Sequence, residues 1–414
     1  MKNNNNDFDL VIVGAGPAGL SAAKVAAENG LKVTIVDEFP TPGGRMIGQF
    51  HEEAPNQWWI GRHAAAELIR QNTDLDVSIQ CGESVHDLIK TNQGWRIFLP
   101  EKTLNAKNLL LATGAAEVPS PVPGWTLPGV MSIGAAQVMT NVHFVKPGTR
   151  GIVIGVNVLS MAISRELTAS GVELASIVLP PDNPFSRKSS KPASALKLLS
   201  DLSHLSPSPL LKLGGQIIKG FDMSEVAVHF LPRRGVNVWD VPLKLRTCAL
   251  AINGTDKVES VTLADLNWKG EPIPGTERDE PVDFAAIAGG LYPLAELASV
   301  AGCKFTYVPE LGGHIPIHSE RLQTLVDGLY VAGNITGVES AAVAMAQGQL
   351  AATSICYDAG LLGSDGESKI RNAMQHVQDV RAEAIIQFHP GIQDARRNLY
   401  RAWEQSFLTE SANM

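Results

Sequence analysis

The chain alternates between short, fully apolar runs and longer segments with helical spacing, the pattern of buried parallel strands joined by helices. Leu10-Val11-Ile12-Val13 is such a run; an alanine-rich helical pattern follows from Pro17, stops at Gly30, and gives way to Lys32-Val33-Thr34-Ile35-Val36. Residues 58–71 predict a helix, and residues 77–81, 84–88 and 95–99 alternate like strands that cover the first sheet. Asn108-Leu109-Leu110-Leu111-Ala112-Thr113-Gly114 is a continuous apolar run ending in Thr-Gly, as a buried strand feeding a loop would. After the proline-rich link Pro119-Ser120-Pro121-Val122-Pro123-Gly124, a second strand–helix–strand unit opens at Arg150-Gly151-Ile152-Val153-Ile154-Gly155, with its helix over 158–170.

Residues 180–220 carry Pro180-Pro181 and Ser206-Pro207-Ser208-Pro209 around an amphipathic stretch at 193–205, a surface insertion with one helix that is either partner-binding or merely solvated. Strand-like stretches occupy 236–266 and 283–290, and the chain returns to its first sheet through 325–334. The tail 369–414 reads as helices broken at His389-Pro390-Gly391. The alternation predicts an α/β fold with two Rossmann-like domains, the second inserted in the first. The expected boundaries are 1–124 with 281–360, then 125–280, then a helical tail at 361–414.

The turn after the first strand carries the chemistry. Gly14-Ala15-Gly16-Pro17-Ala18-Gly19 has the Gly-x-Gly-x-x-Gly spacing between a strand and a helix. Gly14 makes the tight turn, Gly16 lets a pyrophosphate approach the backbone, and Gly19 brings helix and sheet together. The helix start then offers unpaired N–H groups and a positive dipole end to phosphate. The next strand delivers Asp37 where a carboxylate accepts ribose hydroxyls, with Glu38 beside it as the alternative ligand. The second domain departs from this pattern: Gly155-Val156-Asn157-Val158-Leu159-Ser160 puts Asn and Ser at the second and third glycine positions. Side chains stand there where a pyrophosphate needs bare backbone, which argues against NAD(P) binding.

Composition narrows the setting. A formal charge of −8, with scattered basic residues apart from Arg187-Lys188 and Lys191, gives no field for nucleic acid. No run is long and apolar enough to cross a bilayer, and the polar N-terminus shows no signal-peptide segment, so a cytoplasmic protein is expected. Cys81, Cys248, Cys303 and Cys356 are far apart and form no C-x-x-C, so neither a redox dithiol nor a cysteine-ligated cluster is encoded. His314 and His318 have the spacing of a metal pair on a helix, but Pro316 between them argues against one, and no metal is expected.

These pieces resemble the two-dinucleotide-binding-domain flavoproteins of glutathione-reductase type. Gly14, Gly16 and Gly19 match their FAD fingerprint, Asp37 their ribose carboxylate, and Ala112-Thr113-Gly114 their Ala-Thr-Gly strand end. Ala332-Gly333-Asn334 matches their Ala-Gly-Asp motif, whose Asp bonds the ribityl chain, with Asn334 in its place. An Asn amide still offers an acceptor and adds a donor. The helix expected over 340–355 would aim its N-terminus at the flavin pyrimidine edge, where its dipole stabilises negative charge. Gly44, Arg45 and Val85 complete the candidate cofactor contacts.

More narrowly, Pro123-Gly124-Trp125-Thr126-Leu127-Pro128-Gly129-Val130-Met131, Gly134-Ala135-Ala136-Gln137, Leu297-Ala298 with Ala301-Gly302-Cys303, and Gly312-Gly313-His314-Ile315-Pro316 resemble the FAD-binding subunits of multisubunit amino-acid and amine dehydrogenases. That family includes subunits of hydrogen cyanide synthase, opine oxidases, dye-linked proline and hydroxyproline dehydrogenases and sarcosine oxidase. The resemblance implies an FAD domain at 1–124 and 281–360, an NAD(P)-binding-like domain with a degenerate glycine motif at 125–280, and an electron-transfer or dehydrogenase role. The implied partners are a second flavoprotein, amino-acid-oxidase-like, and a small iron–sulfur subunit, with peripheral attachment to the inner membrane through a partner. Two departures stand out. Pro42-Gly43-Gly44-Arg45 replaces the usual Pro-Gly-Gly-Gln, and the tail beyond Cys356 has no cysteine to ligate an iron–sulfur cluster.

No acid, base or nucleophile declares itself. His51, Glu52 and Glu53 follow the Gly43-Gly44 loop, a place that would set them near the ring system, but each is more often an ordinary polar surface residue. Two other readings compete. A stand-alone NAD(P)H-dependent flavin reductase requires the second glycine site to work, and a nucleotide-binding structural subunit would keep a nucleotide for assembly alone.

Overall fold

The computed structural model describes residues 7–54, 57–201, 227–238, 240–384 and 388–411. It divides into two compact units, one formed by Met1–Ile47, Ile60–Ala116 and Leu291–Met414, the other by Gly48–Trp59 and Glu117–Gly290. Both are α/β, as the strand–helix alternation requires.

In the first unit the sheet runs in the order Ser78–Cys81, Val33–Asp37, Phe8–Val13, Thr103–Leu111, Gly94–Phe98, Asp87–Thr91, with Leu329–Val331 also paired to Thr103–Leu111. Phe8–Val13 lies parallel to both of its neighbours, which places its C-terminal end beside the ends of Val33–Asp37 and Thr103–Leu111. The run reads as continuously apolar because both faces are covered. Leu10 and Ile12 face one core with Ile35 and Leu110, while Val11 and Val13 face the other with Val36, Leu109, Leu111 and Trp95.

Helix Pro17–Glu28 covers the first of those faces and packs on helix Ala341–Asp358. Alanines make this possible: Ala18, Ala22, Ala23 and Ala26 meet Ala344, Ala351 and Ala352 in one buried cluster, so the two backbones come close. The tail completes the unit. Gly366–Glu383 lays Val377 into the same cluster, and Ile392–Ser411 packs Ile392, Ala395 and Leu399 on Leu311, Ile315 and Ile317.

The second unit has the sheet order Val130–Ser132, Phe284–Ile287, Arg150–Ile154, Glu173–Leu179, Val241–Asn253, Ser260–Asp265, Arg278–Pro281. The first five strands are parallel, and each of the last two lies antiparallel to the strand before it. Helix Val158–Ala169 buries Met161, Ile163 and Leu167 in the core beside it.

Two expected elements fall elsewhere. The helix over 58–71 is Gly61–Asp74, because Trp58, Trp59 and Ile60 extend into a strand, Gln57–Ile60, paired with Phe50–Ala54. The strand at 84–88 is Asp87–Thr91: its register is set by the Asn92–Gln93 turn that pairs Thr91 with Gly94 and Asp87 with Phe98. Of the amphipathic stretch expected at 193–205, helix Pro192–Asp201 is described, and residues 202–209, with Ser206-Pro207-Ser208-Pro209, lie outside the described residues. Among the described residues no helix is long and apolar enough to cross a membrane.

Candidate functional site

The glycine turn is built as its spacing requires. Gly14 has φ +109°, and a Cβ there would stand 2.3 Å from the Ala112 carbonyl oxygen. A Cβ on Gly19 would meet the Gly14 carbonyl oxygen at 1.9 Å, so the helix start is pressed against the turn. Gly16 differs from both: a Cβ there would have no atom within 4 Å, so the backbone of the helix N-cap opens on free space. Pro17 stands at the first turn of the helix, where its missing N–H leaves no bond unmade.

Asp37 ends the second strand, more than nine-tenths buried, and holds the turn from below. Its Oδ2 accepts the Ala15 N–H at 2.5 Å and its Oδ1 accepts the Phe39 N–H at 2.8 Å. Burial pushes its carboxyl upward in pKa, opposed by those two hydrogen bonds. Lone pairs remain on both oxygens for a ribose hydroxyl. Glu38 beside it is exposed.

Other sequence candidates converge on the same turn. The Gly43 N–H donates to the Ala15 carbonyl at 2.8 Å, and Gly44, at φ +57°, stands so close that a Cβ there would lie 3.0 Å from the Gly16 Cα. Ala112 underlies Gly14, and the Thr113 hydroxyl donates to the Leu294 carbonyl at 2.5 Å, fixing the strand end before Gly114. A Cβ on Gly333 would approach the Ala18 Cβ to 2.9 Å, which brings the 333–336 turn against the same helix. Arg45 is exposed on its 3-10 turn, and Val85 packs half-buried beside Val11, Val13 and Val36.

Asn334 follows Gly333, and its Oδ1 accepts the Glu339 N–H at 3.1 Å. Gln347, which sequence reading did not single out, organises this turn: its Oε1 accepts the Gly333 N–H at 2.8 Å and the Thr336 hydroxyl at 3.2 Å. Its only sequence signal was a polar side chain in an apolar, alanine-rich helix. Glu339, Arg381 and Arg396, also missed, form a buried ion cluster behind the turn.

In the second unit the corresponding helix start is closed by its own side chains. Asn157 Oδ1 accepts the Ser160 N–H and Ser160 Oγ accepts the Asn157 N–H, both at 2.9 Å, while Asn157 Nδ2 donates to the Ala288 carbonyl at 2.9 Å. This reciprocal capping box satisfies N–H groups that a phosphate would otherwise engage.

Glu52 pairs with Arg165 at 3.0 Å within the second unit, where the His51 ring lies 6.3 Å from that of Trp59, and the Glu53 side chain lies outside the described residues. His314 sits exposed on strand Gly313–Pro316, whereas His318 is fully buried, and burial pushes its pKa down to about 3. The two do not share a helix face. Among the described residues no group of three or more His, Cys, Asp or Glu could hold a metal ion. All four cysteines are free thiols, and burial pushes Cys248, Cys303 and Cys356 up to about 11.

Comparison with known proteins agrees with this architecture. Residues 8–199 match the family described as pyridine nucleotide-disulphide oxidoreductase. An opine oxidase subunit of Agrobacterium tumefaciens is 28% identical over 98% of this chain and 75% of its own length. Hydrogen cyanide synthase subunit HcnB of Pseudomonas protegens is 23% identical over 92% of this chain and 76% of its own. Thioredoxin reductase of T. acidophilum superposes with a TM-score of 0.62 at 22% identity, covering 86% of this chain and 99% of that one, which establishes the two-dinucleotide-domain fold.

Proposed function

We propose, from the premise that the chain is a homologue of hydrogen cyanide synthase subunit HcnB and of an opine oxidase subunit, with an oxidoreductase domain over residues 8–199, that it serves as an FAD-dependent oxidoreductase within a larger enzyme. Its place is the electron-transfer or dehydrogenase subunit of a multisubunit amino-acid or secondary-amine dehydrogenase. The observation that carries the reading is the contrast within the first glycine turn: Gly14 and Gly19 are closed by contacts, whereas Gly16 faces open space above the anchored Asp37.

These residues fit FAD. The N–H groups at the start of helix Pro17–Glu28 and its dipole hold a pyrophosphate. Asp37 takes ribose hydroxyls while it keeps Ala15 in place. The Gly333–Asn334 turn, fixed by Gln347, presents an amide to the ribityl chain. When bound, FAD supplies a centre that takes up an electron pair and releases it singly or together. The protein's part is to hold and tune that group, and no side chain is assigned as acid or base.

The names of both relatives as subunits support partners. A second, amino-acid-oxidase-like flavoprotein would oxidise the C–N bond, and a small iron–sulfur subunit would carry any cluster, since this chain's cysteines are dispersed. The self-capped Asn157–Ser160 turn supports a second domain that has given up NAD(P).

An anaerobic NADH titration of the purified protein, read by flavin absorbance, with the released nucleotide identified afterwards, tests this. The expected result is a flavin spectrum that NADH leaves unchanged and FAD on denaturation. Bleaching at stoichiometric NADH would make the protein a self-sufficient reductase, and a colourless protein releasing an adenine nucleotide would give it a structural role.

A further inference from the structure

The tail helices place two guanidinium groups on one buried carboxylate. Arg381 of helix Gly366–Glu383 donates to Glu339 Oε1 through Nε at 2.6 Å and to Oε2 through Nη2 at 3.3 Å, and Arg396 of helix Ile392–Ser411 donates through Nη2 to the same Oε2. Glu339, Arg381 and Arg396 are only 7, 4 and 2% exposed. Burial raises the Glu339 pKa, but the charges of Arg396 and Arg381 outweigh it and hold the carboxyl below its ordinary value. The cluster is therefore two cations to one anion, a net positive charge out of water.

Such a charge is costly unless something gains from it. Among the described residues no second carboxylate pairs with either arginine, and the other polar partners of Arg396 are Tyr400 and Thr336. His318 beside the cluster is neutral, its Nε2 is buried without a partner, and so is Arg396 Nε. Glu339 immediately precedes Ser340, whose side chain caps helix Ala341–Asp358, so the positive end of that helix dipole adds to the cluster instead of offsetting it. The Glu339 backbone also donates to Asn334, which places this field one hydrogen bond from the turn assigned above to the cofactor.

We propose that Arg381 and Arg396, acting through Glu339, are positioning residues whose excess positive charge favours electron uptake by the bound flavin. The C-terminal helices thereby set the reduction potential of that group. This rests on the FAD reading above.

The test is the midpoint potential of the flavin in the full-length holoprotein, by anaerobic equilibration with a reference dye. Arg396→Gln and Arg381→Gln each remove a cation, so the reduced fraction falls, by about tenfold in the reduced-to-oxidised ratio at a fixed dye potential. Glu339→Gln removes the anion and shifts the ratio the opposite way. The double variant Glu339→Gln with Arg396→Gln restores the net charge and returns near wild type, which keeps the test decisive should Glu339→Gln alone not fold. Opposite signs for the arginine and glutamate variants, or a return toward wild type in the double variant, support the proposal. Shifts of one sign throughout, or none, in variants that retain FAD overturn it and leave the FAD reading standing. A wild-type protein that takes up no FAD overturns both.

Discussion

The Glu339 N–H donates to Asn334 Oδ1 at 3.1 Å, and this bond fixes which way the amide faces. A backbone N–H can only donate, so the oxygen must meet it and the NH2 remains to donate elsewhere. Asn334→Asp keeps the internal bond and exchanges the donor for an acceptor, and a ribityl hydroxyl serves either role. Its FAD affinity is expected within a few-fold of wild type. Asn334→Leu removes both and is expected to weaken FAD by about tenfold. Fluorescence titration of the apoprotein with FAD reads both.

Gly16 and Gly19 answer differently to the same methyl group. Gly16→Ala adds a Cβ in open space, so the thermal unfolding midpoint is expected to hold while FAD uptake falls. Gly19→Ala forces that Cβ onto the Gly14 carbonyl oxygen, at an expected cost of about 1–3 kcal/mol in stability. Thermal unfolding of both apoproteins, with the FAD content of each, separates the ligand role from the packing role.

That contrast also shows how much was legible in advance. The glycine turn, Asp37 and the Ala112-Thr113-Gly114 strand end could be read because they depend on spacing along one local segment and the strand that follows. Gln347, Glu339, Arg381 and Arg396 could not. They act across 14 to 57 residues of chain, and an arginine at a buried helix position looks in sequence like one on a solvated face. The start of the 58–71 helix is illegible for a related reason: Trp58 to Ile60 fit a helical spacing, but pairing with Phe50–Ala54 decides their conformation.

Glu166 makes the second unit's stability depend on pH. It is buried on helix Val158–Ala169, with Oε2 accepting from Gln137 Nε2 at 2.8 Å and from Asn141 Nδ2 at 2.6 Å. Burial nevertheless pushes its pKa from 4.5 to about 7. The folded state thus holds the proton more tightly than the unfolded chain, so this contribution is complete below the unfolded value and is lost as pH rises through the folded one. At about 1.4 kcal/mol per unit, the loss between those two values is about 3 kcal/mol. Glu166→Gln cannot titrate, and the fall in unfolding midpoint between pH 4.5 and 7 is expected to flatten in that variant. An unchanged slope would place the titration elsewhere.

The closed helix start of the second unit gives a different kind of prediction, because its own capping bonds compete with any phosphate. Asn157 contributes an acceptor to Ser160 and a donor to Ala288, so Asn157→Ala removes both of its side-chain bonds and leaves only the bond from its backbone N–H to Ser160 Oγ. The loss of the cap is expected to cost about 1 kcal/mol. FAD content should not change, since the first glycine turn is untouched. NADH still does not bleach the flavin in Asn157→Ala, because the Asn position keeps a Cβ where bare backbone is required. Asn157→Gly combined with Ser160→Gly clears both positions and is the variant in which NADH binding is expected to appear, by calorimetric titration of the holoprotein. Binding by the wild type at comparable affinity would show that the capping box opens for its ligand, and the claim of a closed second site would fall.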